Sequence, residues 1–138
     1  MSAEVIDGKA IAADLRARVG DVVSKRERKP GLATVLVGED PASHVYVGSK
    51  RKACAEAGIR SIHHEVPATI FQGELNELVR SLDADPEVDG ILVQLPLPGD
   101  LDRDQVLAEI SARKDVDGLT PANAGLLGQG RIGLAEAL

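Results

Sequence analysis

The segment from Leu32 to Val37 constrains the fold most, because it is short, almost wholly apolar and contains several β-branched residues. Such a run is typical of a strand that is covered on both faces, as in a parallel sheet. The segment from Val88 to Leu95 contains the strongest strand signal, Ile91-Leu92-Val93. A loosely alternating segment, Ile59 to Val66, predicts one more strand, which Pro67 closes.

Helical patterns alternate with these strands. Between Gly8 and Arg28 the apolar residues recur at spacings of three and four, which predicts an amphipathic helix; they are Ile11, Leu15, Val19 and Val22. Thr69 and Gln72 have the spacing of a capping box, so a helix begins there or a few residues later. We expect its apolar residues to face the core, namely Leu75, Leu78, Val79 and Leu82.

Two shorter helices are predicted further along, one capped by Asp102 and one over residues 121–127. Strands that alternate with helices imply right-handed crossovers and a parallel sheet. We therefore predict an α/β fold in which helices flank a mainly parallel sheet in three layers. The chain has no internal repeat or linker, so residues 1–138 are expected to form one domain.

The composition restricts the core and the partners. Apolar residues make up 43% of the chain, but it has only one Tyr and one Phe, so the core must be aliphatic. The net charge is −6 and no basic block is present, so we expect no nucleic-acid partner. The single cysteine, Cys54, excludes an internal disulfide. We see no signal peptide and no apolar run of about 20 residues, and expect a cytoplasmic protein that does not enter a membrane.

The helix that begins after Asp40 carries the first candidate for chemistry. Asp40 is a good N-cap and Pro41 suits the first helical position. One face of this helix is predicted to turn inward; it consists of Ser43, Tyr46, Val47, Lys50, Cys54 and Ala57. Lys50 interrupts this face. In an apolar pocket desolvation disfavours an ammonium group, so such a lysine can exchange protons near neutral pH.

Two further candidates fall at the same edge of the sheet, where the carboxyl ends of parallel strands gather ligands. Gln94 ends the third strand, because Pro96 and Pro98 cannot donate to a strand ladder. The loop Lys114-Asp115-Val116-Asp117-Gly118 follows the next helix. On spacing alone the more frequent interpretation is that Lys50 extends to solvent and that Tyr46 is an isolated core aromatic.

Other interpretations of these residues have less support. The Tyr-x-x-x-Lys spacing also occurs in short-chain dehydrogenases, but they need a glycine-rich loop after the first strand, and this chain has Gly38-Glu39-Asp40-Pro41 there. Asp115 and Asp117 resemble part of a calcium loop that lacks its other ligands, and the alternative is a turn with solvated carboxylates. The three histidines have no ligand spacing, so we assign no metal.

The chain resembles the N-terminal catalytic domain of bifunctional methylenetetrahydrofolate dehydrogenase/methenyltetrahydrofolate cyclohydrolase, the FolD family. The likeness runs roughly from Asp7 to Gly130. Two of its blocks, residues 93–98 and residues 114–118, are together highly specific. The matching blocks are Tyr46-Val47-Gly48-Ser49-Lys50, Asp89-Gly90-Ile91-Leu92-Val93-Gln94-Leu95-Pro96-Leu97-Pro98 and Lys114-Asp115-Val116-Asp117-Gly118-Leu119, with Asp40-Pro41-Ala42-Ser43 and Pro121-x-Asn123-x-Gly125-x-Leu127 beside them.

This resemblance implies a role for each matched residue. Lys50 would be the general acid/base of the cyclohydrolase step, and Gln94 would orient and tune it. Tyr46 would stack on the folate and form a hydrogen bond near the lysine, so it belongs to the catalytic set as well. Asp117 would anchor the N–H groups of the pterin through a charge-assisted pair. Val93 and Leu95 would line the folate slot.

The resemblance also defines what we expect to be missing. In the family a Pro-Cys-Thr-Pro motif and an NADP-binding Rossmann domain follow, whereas this sequence reads Leu134-Ala135-Glu136-Ala137-Leu138 and has no G-x-G-x-x-G loop. We therefore expect no NADP site in this chain, a catalytic domain truncated before that half, and weak cyclohydrolase activity at most.

The alternative is a non-catalytic fragment that binds folate or a partner chain through an apolar wall of Val93, Leu95 and Leu97. An NADP-binding domain could also act in trans. The family forms homodimers, but this piece could be a monomer.

Overall fold

The computed structural model describes residue 3 and residues 5–131, in which five helices alternate with three strands. The strands are β1 (Gly31–Val37), β2 (Arg60–Val66) and β3 (Gly90–Val93). The helices are α1 (Gly8–Ser24), α2 (Pro41–Glu56), α3 (Gln72–Ala84), α4 (Arg103–Ala108) and α5 (Pro121–Gly128). The segment from Leu134 to Leu138 lies outside the described residues.

The three strands form one parallel sheet in the order β2-β1-β3. β1 is central, which explains why every residue of this strand except Leu32 is buried. Thr34 lies opposite His63 on one side and Leu92 on the other. The predicted α/β fold with a parallel sheet between helices is confirmed.

The core lies on the face of the sheet that α3 and α4 cover. Alternate residues of β1 point to this face, as the twofold repeat of a strand requires. The buried cluster joins the strand residues Ala33, Val35, Val37, Ile91 and Val93 to the helix residues Leu75, Val79, Leu82, Val106 and Leu107, and to Ile110 just after α4. These side chains are aliphatic, as the near absence of aromatic residues predicted. The opposite face of the sheet meets α2, which contacts both β1 and β2.

The starts of the helices follow their capping residues. Asp102 accepts hydrogen bonds from the backbone N–H groups of Asp104 and Gln105, as predicted. α3 begins at Gln72, so the later of the two predicted starts is found. There the carboxylate of Glu74 accepts from the backbone N–H of Phe71 at 3.1 Å. No helix in the described part of the chain is long and apolar enough to cross a membrane.

The apolar residues of α1 differ from the expected arrangement. The amphipathic helix is present, but Ile11, Leu15, Val19 and Val22 are all exposed, and only Val23 of this helix is buried. α1 instead approaches α2 with its small residues, and Gly20 lies against Ala57. Periodicity predicts that a helix has an apolar face, but it does not say whether another element covers that face.

Candidate active site

Lys50 is held at the sheet edge by the way α2 begins. The carboxylate of Asp40 accepts a hydrogen bond from the backbone N–H of Ser43 at 2.8 Å, and this bond lowers the pKa of Asp40. Ser43, Val47 and Cys54 turn inward, and Lys50, which lies on the same face between Val47 and Cys54, is half-buried. The local signals of a cap and an N-terminal proline therefore fix where the lysine lies.

Gln94 meets Lys50 at the end of β3. Its backbone N–H donates to the carbonyl oxygen of Val35 at 2.8 Å, which extends the pairing with β1 by one residue. Its side-chain Nε2 donates to the carbonyl oxygen of Leu95 at 2.8 Å. That bond directs Oε1 to the other side, where it accepts from Nζ of Lys50 at 3.1 Å. The two residues, which lie 44 positions apart in the sequence, are brought together as predicted.

The loop of residues 114–120, here called the Asp117 loop, lies beside β3. The backbone N–H of Ile91 donates to the carbonyl oxygen of Lys114 at 2.7 Å, and Ile91 forms an isolated parallel bridge with Asp115. Nζ of Lys114 donates to the carbonyl oxygens of Asp83 and Asp85 at the end of α3. The start of the loop is thus attached to the same strand that ends at Gln94.

Asp117 is exposed, yet neighbouring charges and partial burial shift the pKa of its carboxyl group. Partial desolvation raises the pKa of Asp117, the positive charge of Lys50 lowers it, and the charge of Asp115 raises it again; the net direction is upward. The loop turns at Gly118, whose φ of +68° is a backbone conformation that suits glycine.

Tyr46 does not face the core. The prediction that it belongs to an inward-facing set with Lys50 is wrong for this residue, because its side chain is 63% exposed. The interpretation of Tyr46 as an isolated core aromatic is wrong for the same reason. Tyr46 lies one helical turn before Lys50, at the margin of the buried face of α2.

The apolar residues of the expected slot are only partly accessible. Val93 is buried in the core cluster, so its side chain does not line an open surface. Leu95 and Leu97 are half-buried, and Leu97 packs against the core. The continuous apolar wall expected from Val93, Leu95 and Leu97 is therefore not exposed. This difference arises because Val93 continues the core-facing alternation of β3.

The burial of Asp115 was not predicted from the sequence. A turn with solvated carboxylates was one expectation, but Asp115 is only 2% exposed. It accepts hydrogen bonds from the backbone N–H groups of Leu119 and Thr120 and from the side chain of Asn123. The bonded N–H groups lie four and five residues after Asp115, beyond the spacing of the usual Asx-turn and N-cap motifs, so the sequence carries no standard signal for these bonds.

The histidines and the acidic residues form no metal site in the described range. No group of three or more His, Cys, Asp or Glu side chains there could hold a metal ion. His44 instead pairs with Glu65 at 3.4 Å. His63 is half-buried, and burial is the first cause that lowers its pKa.

Comparison with known proteins identifies the family. Residues 6–117 match the family model of the tetrahydrofolate dehydrogenase/cyclohydrolase catalytic domain. The chain belongs to this family. Among its relatives, the bifunctional protein FolD of Sphingopyxis alaskensis is 57% identical over 136 residues, which are 96% of this chain and 45% of that protein. The chain thus spans about half the length of the curated relatives it matches.

Solved structures of the tetrahydrofolate dehydrogenase/cyclohydrolase family share this fold. The crystal structure of the FolD enzyme of Campylobacter jejuni superposes with a TM-score of 0.86 at 42% identity, over 91% of this chain and 45% of that chain. The Trypanosoma brucei enzyme, crystallised with NADP cofactor and an inhibitor, gives a TM-score of 0.88 at 36% identity, over 96% and 47%.

An NADP pyrophosphate does not fit the first strand-helix turn of this chain. In dinucleotide-binding folds the phosphates lie on the free N–H groups of a helix N-terminus, which a glycine-rich loop exposes. Here the carboxylate of Asp40 occupies that position at the start of α2 and accepts from Ser43. A negative side chain there repels phosphate, so this turn is not a nicotinamide cofactor site.

Proposed function

We propose that residues 1–138 form a catalytic domain that binds tetrahydrofolate derivatives and carries the cyclohydrolase step of one-carbon metabolism. The hydrogen bond from Nζ of Lys50 to Oε1 of Gln94 supports this proposal most directly. It places an amine, half-buried and oriented by an amide, at the edge where parallel strands gather ligands. In this proposal the Tyr-x-x-x-Lys spacing of Tyr46 and Lys50 belongs to a folate site and not to the proton-donating pair of a short-chain dehydrogenase.

In this proposal Lys50 moves the protons of the hydrolysis. Water attacks the methenyl carbon that bridges two folate nitrogens; the new C–O bond forms, the π electron pair of the C=N bond returns to nitrogen, and the side-chain nitrogen of Lys50 takes a proton from the water. One C–N bond then breaks as the ammonium of Lys50 returns a proton to the departing nitrogen, while the added hydroxyl gives its proton to solvent water and becomes the carbonyl of the formyl group. The product carries a formyl group on the other nitrogen. Gln94 keeps the amine directed at the reacting carbon throughout.

Tyr46 and Asp117 supply the binding contacts in the same proposal. The exposed ring of Tyr46 stacks on the flat folate rings at the rim. The carboxylate of Asp117 accepts from the N–H groups of the pterin. Leu95 contacts the ligand through its accessible side, whereas Val93 contributes only through its backbone.

The dehydrogenase activity belongs, in this proposal, to the full-length family proteins. Hydride transfer requires NADP laid against the folate, and we place its site in the half of the relatives that this chain does not span. That half could also act in trans or form a homodimer interface. Cys54 is a free cysteine, which is consistent with a reducing cytoplasm.

We expect the purified 138-residue chain to hydrolyse methenyltetrahydrofolate slowly and to form no NADPH from methylenetetrahydrofolate and NADP. The hydrolysis needs only water and Lys50, whereas hydride transfer needs the opposite wall of a cleft. Loss of methenyl absorbance measures the first reaction, and NADPH absorbance measures the second. Folate-analogue binding without hydrolysis would favour the non-catalytic fragment, and NADPH formation would contradict the assignment of the cofactor site.

Replacing Asp117 with asparagine should weaken binding of a folate analogue roughly tenfold to a hundredfold, because the charge-assisted pair with the pterin is lost. Isothermal titration calorimetry measures the change. Asp104→Asn is the matched control, since Asp104 is an exposed aspartate in the first turn of α4. Equal affinities of the two variants would remove Asp117 from the binding site.

A further inference from the structure

We propose that Asp115 is a positioning residue, whose buried side chain holds the Asp117 loop so that Asp117 faces the site of Lys50. This inference rests on the proposed function, since it gives Asp117 a binding role. Asp115 is 2% exposed, so its side chain offers almost no surface for contact with a ligand. It acts through the backbone on both sides of Asp117.

The carboxylate of Asp115 uses both of its oxygens on this loop. Oδ1 accepts from the backbone N–H of Leu119 at 3.1 Å. Oδ2 accepts from the backbone N–H of Thr120 at 2.8 Å and from Nδ2 of Asn123 at 3.0 Å. Nδ2 of Asn123 also donates to the carbonyl oxygen of Ala112 at 2.9 Å. The chain before and after Asp117 is therefore fastened to one buried group.

The same group is attached to the strand that positions the catalytic amine. Asp115 forms its parallel bridge with Ile91 in β3, and three residues later Gln94 accepts from Lys50. One short strand thus sets the position of the amine through Gln94 and the position of the Asp117 loop through Asp115. The distance between the two functional groups depends on both connections.

The charge state of Asp115 suits this role. Burial raises the pKa of its carboxyl group, but the hydrogen bonds from Asn123, Thr120 and Leu119 together outweigh burial and hold the pKa below its usual value. Asp115 is therefore ionised at neutral pH, and ionised oxygens accept several hydrogen bonds strongly. Its charge also raises the pKa of Asp117. Asp115 thus influences Asp117 both through the backbone and through its field.

Asp115→Asn tests the inference, because it keeps the size of the side chain but replaces one accepting oxygen with an NH₂ group that faces N–H donors. We expect folate-analogue affinity to fall about tenfold. We also expect the double variant Asp115→Asn/Asp117→Asn to bind no more weakly than Asp117→Asn alone. The reason is that Asp115 affects folate binding only through Asp117, so its replacement has no further effect once Asp117 is replaced. Additive losses, or an unchanged affinity in Asp115→Asn, would overturn the proposal.

Asp83→Asn is the matched structural control. Asp83 also accepts from a backbone N–H, that of Ser111 at 2.9 Å, but it lies outside the Asp117 loop. We expect this variant to keep its affinity for the analogue even where its stability falls. Asn123→Ala, which removes one of the three donors to Asp115, should lower the affinity in the same direction by less, and it decides the question if Asp115→Asn does not fold.

A second measurement separates this proposal from the proposed function. Titration of the Asp117 carboxyl carbon by NMR needs no folate, and in Asp115→Asn we expect the pKa of Asp117 to fall, because a neighbouring negative charge is lost and the loop opens to water. If the wild type binds no folate, but Asp115→Asn shows this shift together with faster amide exchange at Leu119 and Thr120, the proposed function fails and the positioning of the loop stands. An unchanged Asp117 titration together with unchanged amide exchange at Leu119 and Thr120 would refute the positioning itself.

Discussion

Lys50→Met should remove measurable hydrolysis of methenyltetrahydrofolate by this chain. Methionine keeps the unbranched, apolar part of the side chain but cannot take or return a proton. General acid/base catalysis contributes about 10²–10⁴-fold in rate, and the expected activity of the isolated domain is already low, so little should remain above the uncatalysed reaction. The decrease of methenyl absorbance with time, corrected for hydrolysis in buffer, measures the rate.

Lys52→Met is the matched control for this variant. Lys52 lies on the same helix, its side chain is 80% exposed, and it makes only a long ion pair of 4.0 Å with Glu56. An exposed pair of this kind contributes little to stability. We expect Lys52→Met to keep the wild-type rate and both variants to bind a folate analogue. Equal hydrolysis rates in Lys50→Met and Lys52→Met would refute the assignment of Lys50.

Local signals explain why the meeting of Lys50 and Gln94 could be predicted. Asp40 and Pro41 fix the first turn of α2, and the spacing along a helix then fixes which residues share the buried face. The prolines after Gln94 end its strand, and parallel strands place their carboxyl ends at one edge. Each of these steps depends on residues that lie within a few positions of one another, so it can be predicted from the sequence alone.

The exposure of Tyr46 and the burial of Asp115 could not be predicted in the same way. Tyr46 occupies a helical position at the margin between the buried and the solvated face, where a shift of one side chain decides its exposure. Asp115 is 2% exposed and accepts a hydrogen bond from Asn123 of α5, eight residues further along the chain. A pattern of residue types does not show how α5 packs beside the loop, so the Asp-x-Asp-Gly segment resembled a solvated turn.

The exposure of the apolar face of α1 could not be predicted from the sequence either. Leu15 on α1 and Leu75 on α3 have the same helical spacing signals, and both were expected on amphipathic helices. Leu75 is fully buried against β1, whereas Leu15 is 56% exposed. Periodicity treats the two helices alike. Only the position of each helix relative to the sheet separates them, and that position is set by the whole chain.

Leu75→Ala should therefore lower the free energy of unfolding by about 2–5 kcal/mol, through lost burial and the cavity that remains. Leu15→Ala, the same chemical change, should alter it by less than about 0.5 kcal/mol, because the side chain is already largely in water and alanine favours a helix. The chain has no tryptophan, so urea unfolding followed by far-ultraviolet circular dichroism is the suitable measurement. A comparable cost for Leu15→Ala would mean that the apolar face of α1 is covered in solution, which would contradict its exposure in this structure.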